Sequence, residues 1–129
     1  QRIILRVRPG TEAAQRESIY RGWQRSLLHQ VIPAMIERWE QRLSVKVSGY
    51  FLQRMKTKWG SCNPKHAHIR LNTELVKKPN LLEYVVVHEM IHLLEPTHNK
   101  RFIALLDQHY PSWREARMEL NELPLGKVD

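Results

Sequence analysis

The spacing of apolar residues changes period several times along the chain, and each change marks a predicted element. From Ile3 to Arg8 it alternates, with Ile3, Leu5 and Val7 on one side and Arg6 and Arg8 on the other. That is a half-buried strand, stopped by Pro9-Gly10. From Thr11 to about Leu43 the period becomes helical. Ile19, Trp23, Leu27, Val31, Met35, Trp39 and Leu43 form one apolar stripe, read as core, and the opposite side is rich in Arg, Glu and Gln. Pro33 must kink this helix or open a second one at its first turn.

Val45 to Leu52 reads as a strand, with Val45, Val47 and Phe51 sharing a face. Arg54 to Trp59 alternates again, with Arg54, Lys56 and Lys58 opposite Met55, Thr57 and Trp59. Gly60 to Lys65 supplies turn residues, and His66 to Asn72 returns as a strand with Ala67, Ile69 and Leu71 on its apolar side. These short connections imply a small, largely antiparallel sheet. The apolar run Leu81 to Leu94 has the length and leucine/valine content of a buried helix. Asn80 is its expected N-cap, and Glu83 completes a capping-box-like start. Pro96 ends it. A further helix begins near Asn99, with Phe102, Ile103, Leu105 and Leu106 buried, and Ser112 with Glu115 caps a last one. With no internal repeat or low-complexity tract, the 129 residues are expected to form one α+β domain.

Composition narrows the class. The 42% hydrophobic and 26% charged content is that of a soluble globular protein. No apolar run reaches bilayer length and no signal-peptide pattern is present, so no membrane partner is expected. The chain starts at Gln1 rather than Met, which leaves room for an upstream segment. Cys62 is the only cysteine, which excludes an internal disulfide and fits a reducing, cytoplasmic setting. The net charge of +8 makes an acidic partner such as nucleic acid worth considering, although solvated strand faces are the preferred account of Arg54, Lys56 and Lys58.

The chemistry concentrates in His88-Glu89-Met90-Ile91-His92. Residues four apart on a helix stand above one another, so His88 and His92 can aim at one metal ion. Glu89 can then reach a water on that ion. This is the H-E-x-x-H arrangement of zinc metalloproteases, which leave one metal position open. The third ligand must come from outside the pair. His98 follows His92 by six residues, past the Pro96 break, where the chain can fold back; it is the preferred candidate. Glu95 shares the helical face but lies about 10 Å along the axis from His88. His66, His68 and His109 are less constrained, and Glu119 or Glu122 would suit a two-histidine, one-glutamate site. With zinc in place, Glu89 takes a proton from the attacking water and delivers it to the leaving amine. Tyr84, Tyr110, His68 and His109 are the candidate oxyanion donors.

Four linked blocks, Met55 to Asn63, Ile69 to Asn72, Tyr84 to Leu93 and His98 to Phe102, resemble the YgjP-like metallopeptidases. These are compact zincins, more distantly similar to minigluzincins and SprT-like proteases, and the likeness runs from about Ile3 to Leu125. It implies a zincin-like α+β fold: a long N-terminal helix, a small mostly antiparallel sheet, an H-E-x-x-H active-site helix and C-terminal helices. It also implies His88, His92 and His98 as zinc ligands, Glu89 as general base, and an edge strand within Lys58 to Asn63 that pairs with an extended substrate. For Trp59-Gly60-Ser61-Cys62 the expectation is divided between packing of Trp59 with a tight turn at Gly60 and substrate contact. Cys62 is expected as a small buried hydrophobe rather than a zinc ligand. Some relatives resemble partners of restriction-modification systems, and SprT-like cousins cleave proteins attached to DNA. The expected function is therefore a zinc-dependent peptidase acting on peptides or proteins. The alternative is a nucleic-acid-associated binding module, or a DNA-linked protease, with a vestigial or tightly regulated zinc site. Intact Glu89 favours the first, because a structural site has no use for a base.

Overall fold

The computed structural model describes residues 9–123, with side chains from residue 12 onward; the strand expected over Ile3 to Arg8 lies outside them. The longest element, α1 (Pro9–Leu43), runs through Pro33 as one helix. Pro33 sits on the exposed side, where the carbonyl it deprives of a donor reaches water. Ser44, in the left-handed region at φ 54°, ends the helix.

The buried face of α1 differs from the expected stripe by one residue over most of its length. Gln24, Leu28, Ile32 and Ile36 are buried with Trp39 and Leu43, whereas Ile19, Trp23 and Val31 are exposed at 72%, 52% and 47%. Both series recur every four residues, so periodicity cannot choose between them. Packing chooses. Gln24 tolerates burial because its amide donates to Glu74 Oε2 at 3.0 Å. Further along, Trp39 Nε1 and Arg38 donate to Glu83 Oε2 at 3.0 and 2.9 Å, tying α1 to the next long helix.

Three strands follow: β1 (Gly49–Gln53), β2 (Gly60–Asn63) and β3 (His68–Asn72), in the order β1-β3-β2. β2 and β3 are antiparallel, while β1 runs parallel to β3, so the sheet is mixed. That topology corrects two expectations. Gly60 to Asn63 is a strand, as the family resemblance implied, rather than the turn its residues suggest, and residues 54–59 are largely connection rather than strand. The connection has to arch over the end of β3 to reach its far side, so it cannot also lie alongside. Asn72, at the end of β3, holds the arch: its side chain donates to Met55 O at 2.9 Å and Lys58 O at 2.8 Å. Its backbone N–H donates to Trp59 O at 3.0 Å. The same side chain accepts from Glu74 N and so caps the 3-10 turn Thr73–Lys77.

Helix α2 (Pro79–Ile91) is buried at ten of its thirteen residues. Its start differs from expectation. Pro79 occupies the first helical turn, where its fixed φ is already helical, and the Lys78 cap makes no side-chain bond. Asn80 instead donates to Glu119 at 2.9 Å, and Glu83 serves α1 rather than a capping box. α3 (Lys100–His109) starts as expected, with Asn99 accepting from Phe102 N at 3.1 Å. α4 (Trp113–Asn121) has Ser112 at its N-cap, but at ψ 13° the hydroxyl makes no capping bond. The sheet, α1, α3 and α4 all pack on α2. No helix among the described residues is long and apolar enough to cross a membrane.

Candidate metal centre

Two local structures bring three imidazoles together. His88 lies in the last turn of α2, and His92 caps it with helical φ −61° and ψ −17°, so the four-residue spacing keeps both rings on one face. The chain then turns through residues 93–99. Glu95 organises this turn by accepting from Thr97 N at 3.1 Å and Thr97 Oγ1 at 3.2 Å, with Arg101 at 3.7 Å. The Thr97 backbone bond, then the Asn99 side chain, holds the Glu95 carboxyl below its ordinary range. That commitment explains why Glu95 stands apart from the histidines' cluster. The Asn99 cap fixes the start of α3 and leaves His98, one residue earlier, facing back.

The result is a tight convergence. His98 Nε2 lies 3.2 Å from His88 Nε2 and 3.0 Å from His92 Nε2. Ligands 2.0–2.1 Å from a tetrahedral zinc sit about 3.3 Å from one another, so the spacing suits one such ion. Among the described residues these three form the group able to hold a metal, with ligand atoms within 4.8 Å of one another. His66, His68 and His109 stay outside it; His66 and His68 stack on each other at 5.9 Å near the start of β3.

The ring orientations are set from behind. Glu95 O accepts from His92 Nδ1 at 3.1 Å, which leaves Nε2 with its lone pair forward. The Tyr84 hydroxyl stands 3.4 Å from His88 Nδ1 in the same role. Phe102 fills the space beneath all three imidazoles, at centroid distances of 4.9, 4.6 and 4.8 Å from His88, His92 and His98. Burial pushes the Tyr84 hydroxyl up to about 12, with the Arg117 charge opposing the rise. Sequence reasoning reached Tyr84 only as an oxyanion candidate and Phe102 only as core. Their spacing, four residues before His88 and four after His98, was the available signal.

Glu89 is fully buried beside the pair, and β2 crosses directly over it. A Cβ at Gly60 would stand 2.8 Å from Val85 Cγ1 and 2.9 Å from Glu89 Oε2. Gly60 therefore serves close approach of strand to helix rather than a turn. Trp59 is buried in the core, which agrees with its packing role, although its indole N–H finds no acceptor among the described residues. Cys62 is half-buried on β2. Burial, then the Glu89 charge, pushes its thiol up to about 12, and it stays outside the group of three imidazoles. The basic alternation at Arg54, Lys56 and Lys58 belongs to the arch, where Arg54 pairs with Glu17 at 3.5 Å.

A helix with two facing histidines, a third histidine from the following turn and a strand crossing the intervening glutamate define a compact metallopeptidase fold. The chain belongs to the YgjP-like family: the model of the YgjP-like, metallopeptidase domain matches residues 1–123. Solved structures agree on the fold. The metallopeptidase zymogen abylysin of Pyrococcus abyssi superposes with a TM-score of 0.67 at 17% identity, covering 76% of this chain and 100% of that one. The zymogen jannalysin of Methanocaldococcus jannaschii gives 0.60 at 22% identity, covering 70% and 94%. No curated protein matches the sequence.

Proposed function

We propose that this metallopeptidase is a zinc-dependent enzyme in which His88, His92 and His98 hold the ion and Glu89 is the general base. The observation that carries the reading is the convergence of His88 Nε2 and His92 Nε2 on His98 Nε2, at 3.2 and 3.0 Å, beside a fully buried carboxylate. Three neutral nitrogens from a rigid helix and a capped turn suit zinc, with a fourth position left for chemistry. When bound, zinc would polarise the scissile carbonyl and acidify the attacking water. The chain's own residues do the rest. Glu89 takes the proton from water and passes it to the leaving amine. β2, paired only with β3 among the described residues, offers its outer edge to an extended peptide as an added strand. Gly60 lets that edge lie close over Glu89, so a peptide paired there comes within reach of the base.

The test compares metal content and peptide-library cleavage in wild type, Glu89→Gln and His98→Ala. One zinc per chain is expected in wild type and in Glu89→Gln, with cleavage in the latter down by about 10²–10⁴-fold. His98→Ala should lose zinc. Full activity in Glu89→Gln, or full zinc in His98→Ala, would overturn the corresponding assignment.

A further inference from the structure

A cavity of about 380 Å³ opens beside the imidazoles, between α2, α3 and α4. His88 and His98 form its inner wall, and Phe102, Leu106, Trp113 and Leu120 give it an apolar lining. Among the described residues no aspartate or glutamate lines it; the charged side chain that does is Arg117 on α4.

Two neighbouring arginines on α4 differ in a telling way. Arg114 is committed: it pairs with Asp107 at 2.9 Å and stacks over Trp113 at 4.3 Å. Arg117 is exposed, lines the cavity and forms no ion pair among the described residues. A pocket with part-apolar, part-polar walls, one guanidinium outside any ion pair and no acid among its described lining residues presents two planar donors to a carboxylate.

We propose that this cavity is the specificity pocket of the peptidase and that Arg117 selects a substrate residue carrying a carboxylate. The proposal rests on the peptidase reading above. The carboxylate has two sources in a peptide, a glutamate side chain or the free chain end, and both present the same two oxygens to Arg117. The lining accommodates the aliphatic or aromatic body of the residue that carries it.

The experiment uses the zinc-loaded chain as wild type, Arg117→Gln and Arg117→Glu, with Met118→Ala as a control on the solvent face of the same helix. Two peptide pairs are compared by kcat/KM. One pair has Glu or Gln after the scissile bond within an amidated peptide; the other ends there in Leu with a free or an amidated carboxyl. Wild type should favour the carboxylate in at least one pair by about 10- to 100-fold, as expected of a charge-assisted hydrogen bond. Arg117→Gln should reduce that ratio to threefold or less, Arg117→Glu should reverse it, and Met118→Ala should keep it. Preference confined to the first pair identifies the side chain as the source, and preference confined to the second identifies the chain end. A ratio in both pairs that Arg117→Gln and Arg117→Glu leave unchanged overturns the proposal.

Binding keeps the pocket separable from the activity. The affinity of 3-phenylpropionate relative to 3-phenylpropionamide should fall by the same 10- to 100-fold in Arg117→Gln. If wild type cleaves no peptide but this ratio falls, the peptidase reading fails and the carboxylate pocket stands. If the ratio is the same in both proteins, the pocket assignment fails.

Discussion

Helices α1 and α2 violate the inside–outside rule in opposite directions. α1 exposes Ile19, Trp23 and Val31 while burying Gln24, and α2 buries His88, Glu89 and His92. The two exceptions are not equivalent. Apolar side chains in water are common on every protein surface and carry little information. Ionisable groups inside cost several kcal/mol unless something engages them. Gln24 is engaged by Glu74, which closes the account for α1. In α2 the two imidazoles point their Nε2 atoms at that of His98, the arrangement from which the metal site is proposed. Polar residues in a core helix therefore locate the chemistry here, and exposed aromatics do not.

The largest way to break this comparison is to remove the zinc ion proposed to sit between the imidazoles. Stripping zinc with a chelator should abolish cleavage. It should also lower the unfolding free energy by about 4 kcal/mol relative to protein held at a thousandfold excess over Kd. Calorimetry with and without zinc measures it. An unchanged Tm would mean that the three imidazoles do not bind the ion in the folded state.

Ile32→Ala comes next. Ile32 is fully buried against the core, and truncation there should cost about 2–5 kcal/mol. Denaturant unfolding checks the value. A cost below about 0.5 kcal/mol, the usual range for an exposed position, would return the buried face of α1 to the stripe read from the sequence.

The difference between what was and was not legible follows from the same physics. The convergence of His88, His92 and His98 could be anticipated because two lie at fixed helical spacing and the third follows the helix break at Pro96. All of that is local. Phe102 and Leu106 were legible as the core of α3 for the same reason. The face of α1 was not, because it depends on what a helix meets more than forty residues away, as Gln24 meets Glu74. Nor was β2. Gly60 looks like punctuation in one dimension, and only the crossing over Val85 and Glu89 shows that it is a clearance. The parallel pairing of β1 with β3 likewise depends on Asn72 holding an arch that begins seventeen residues earlier, at Met55.

Gly60→Ala sharpens the comparison at the α2 end. The added methyl would meet Val85 and Glu89 at 2.8 and 2.9 Å, closer than atoms settle without movement. Overpacking of this kind costs about 1–3 kcal/mol. The contact also displaces the Glu89 carboxylate, while the atoms nearest the added methyl belong to Val85 and Glu89 and not to the imidazoles. Cleavage should therefore fall at least tenfold with zinc content unchanged. Equal loss of zinc and activity would show that the strand supports the whole site rather than the base.

Val31→Ala carries the smallest expected effect and tests the α1 end directly. Val31 is the immediate neighbour of Ile32, but it keeps 47% of its surface in solvent. Truncation forfeits part of a modest burial and gains helix propensity, because alanine loses no χ1 freedom in a helix and valine does. The two contributions oppose each other, and the net change should stay within about 0.5 kcal/mol of zero. Measured beside Ile32→Ala under identical conditions, the pair reads the phase of α1 one residue apart. A loss above about 2 kcal/mol at Val31 would mean that this face is covered by other protein in solution. The exposed row Ile19, Trp23 and Val31 would then be a buried surface, and the contrast between the two helices would disappear.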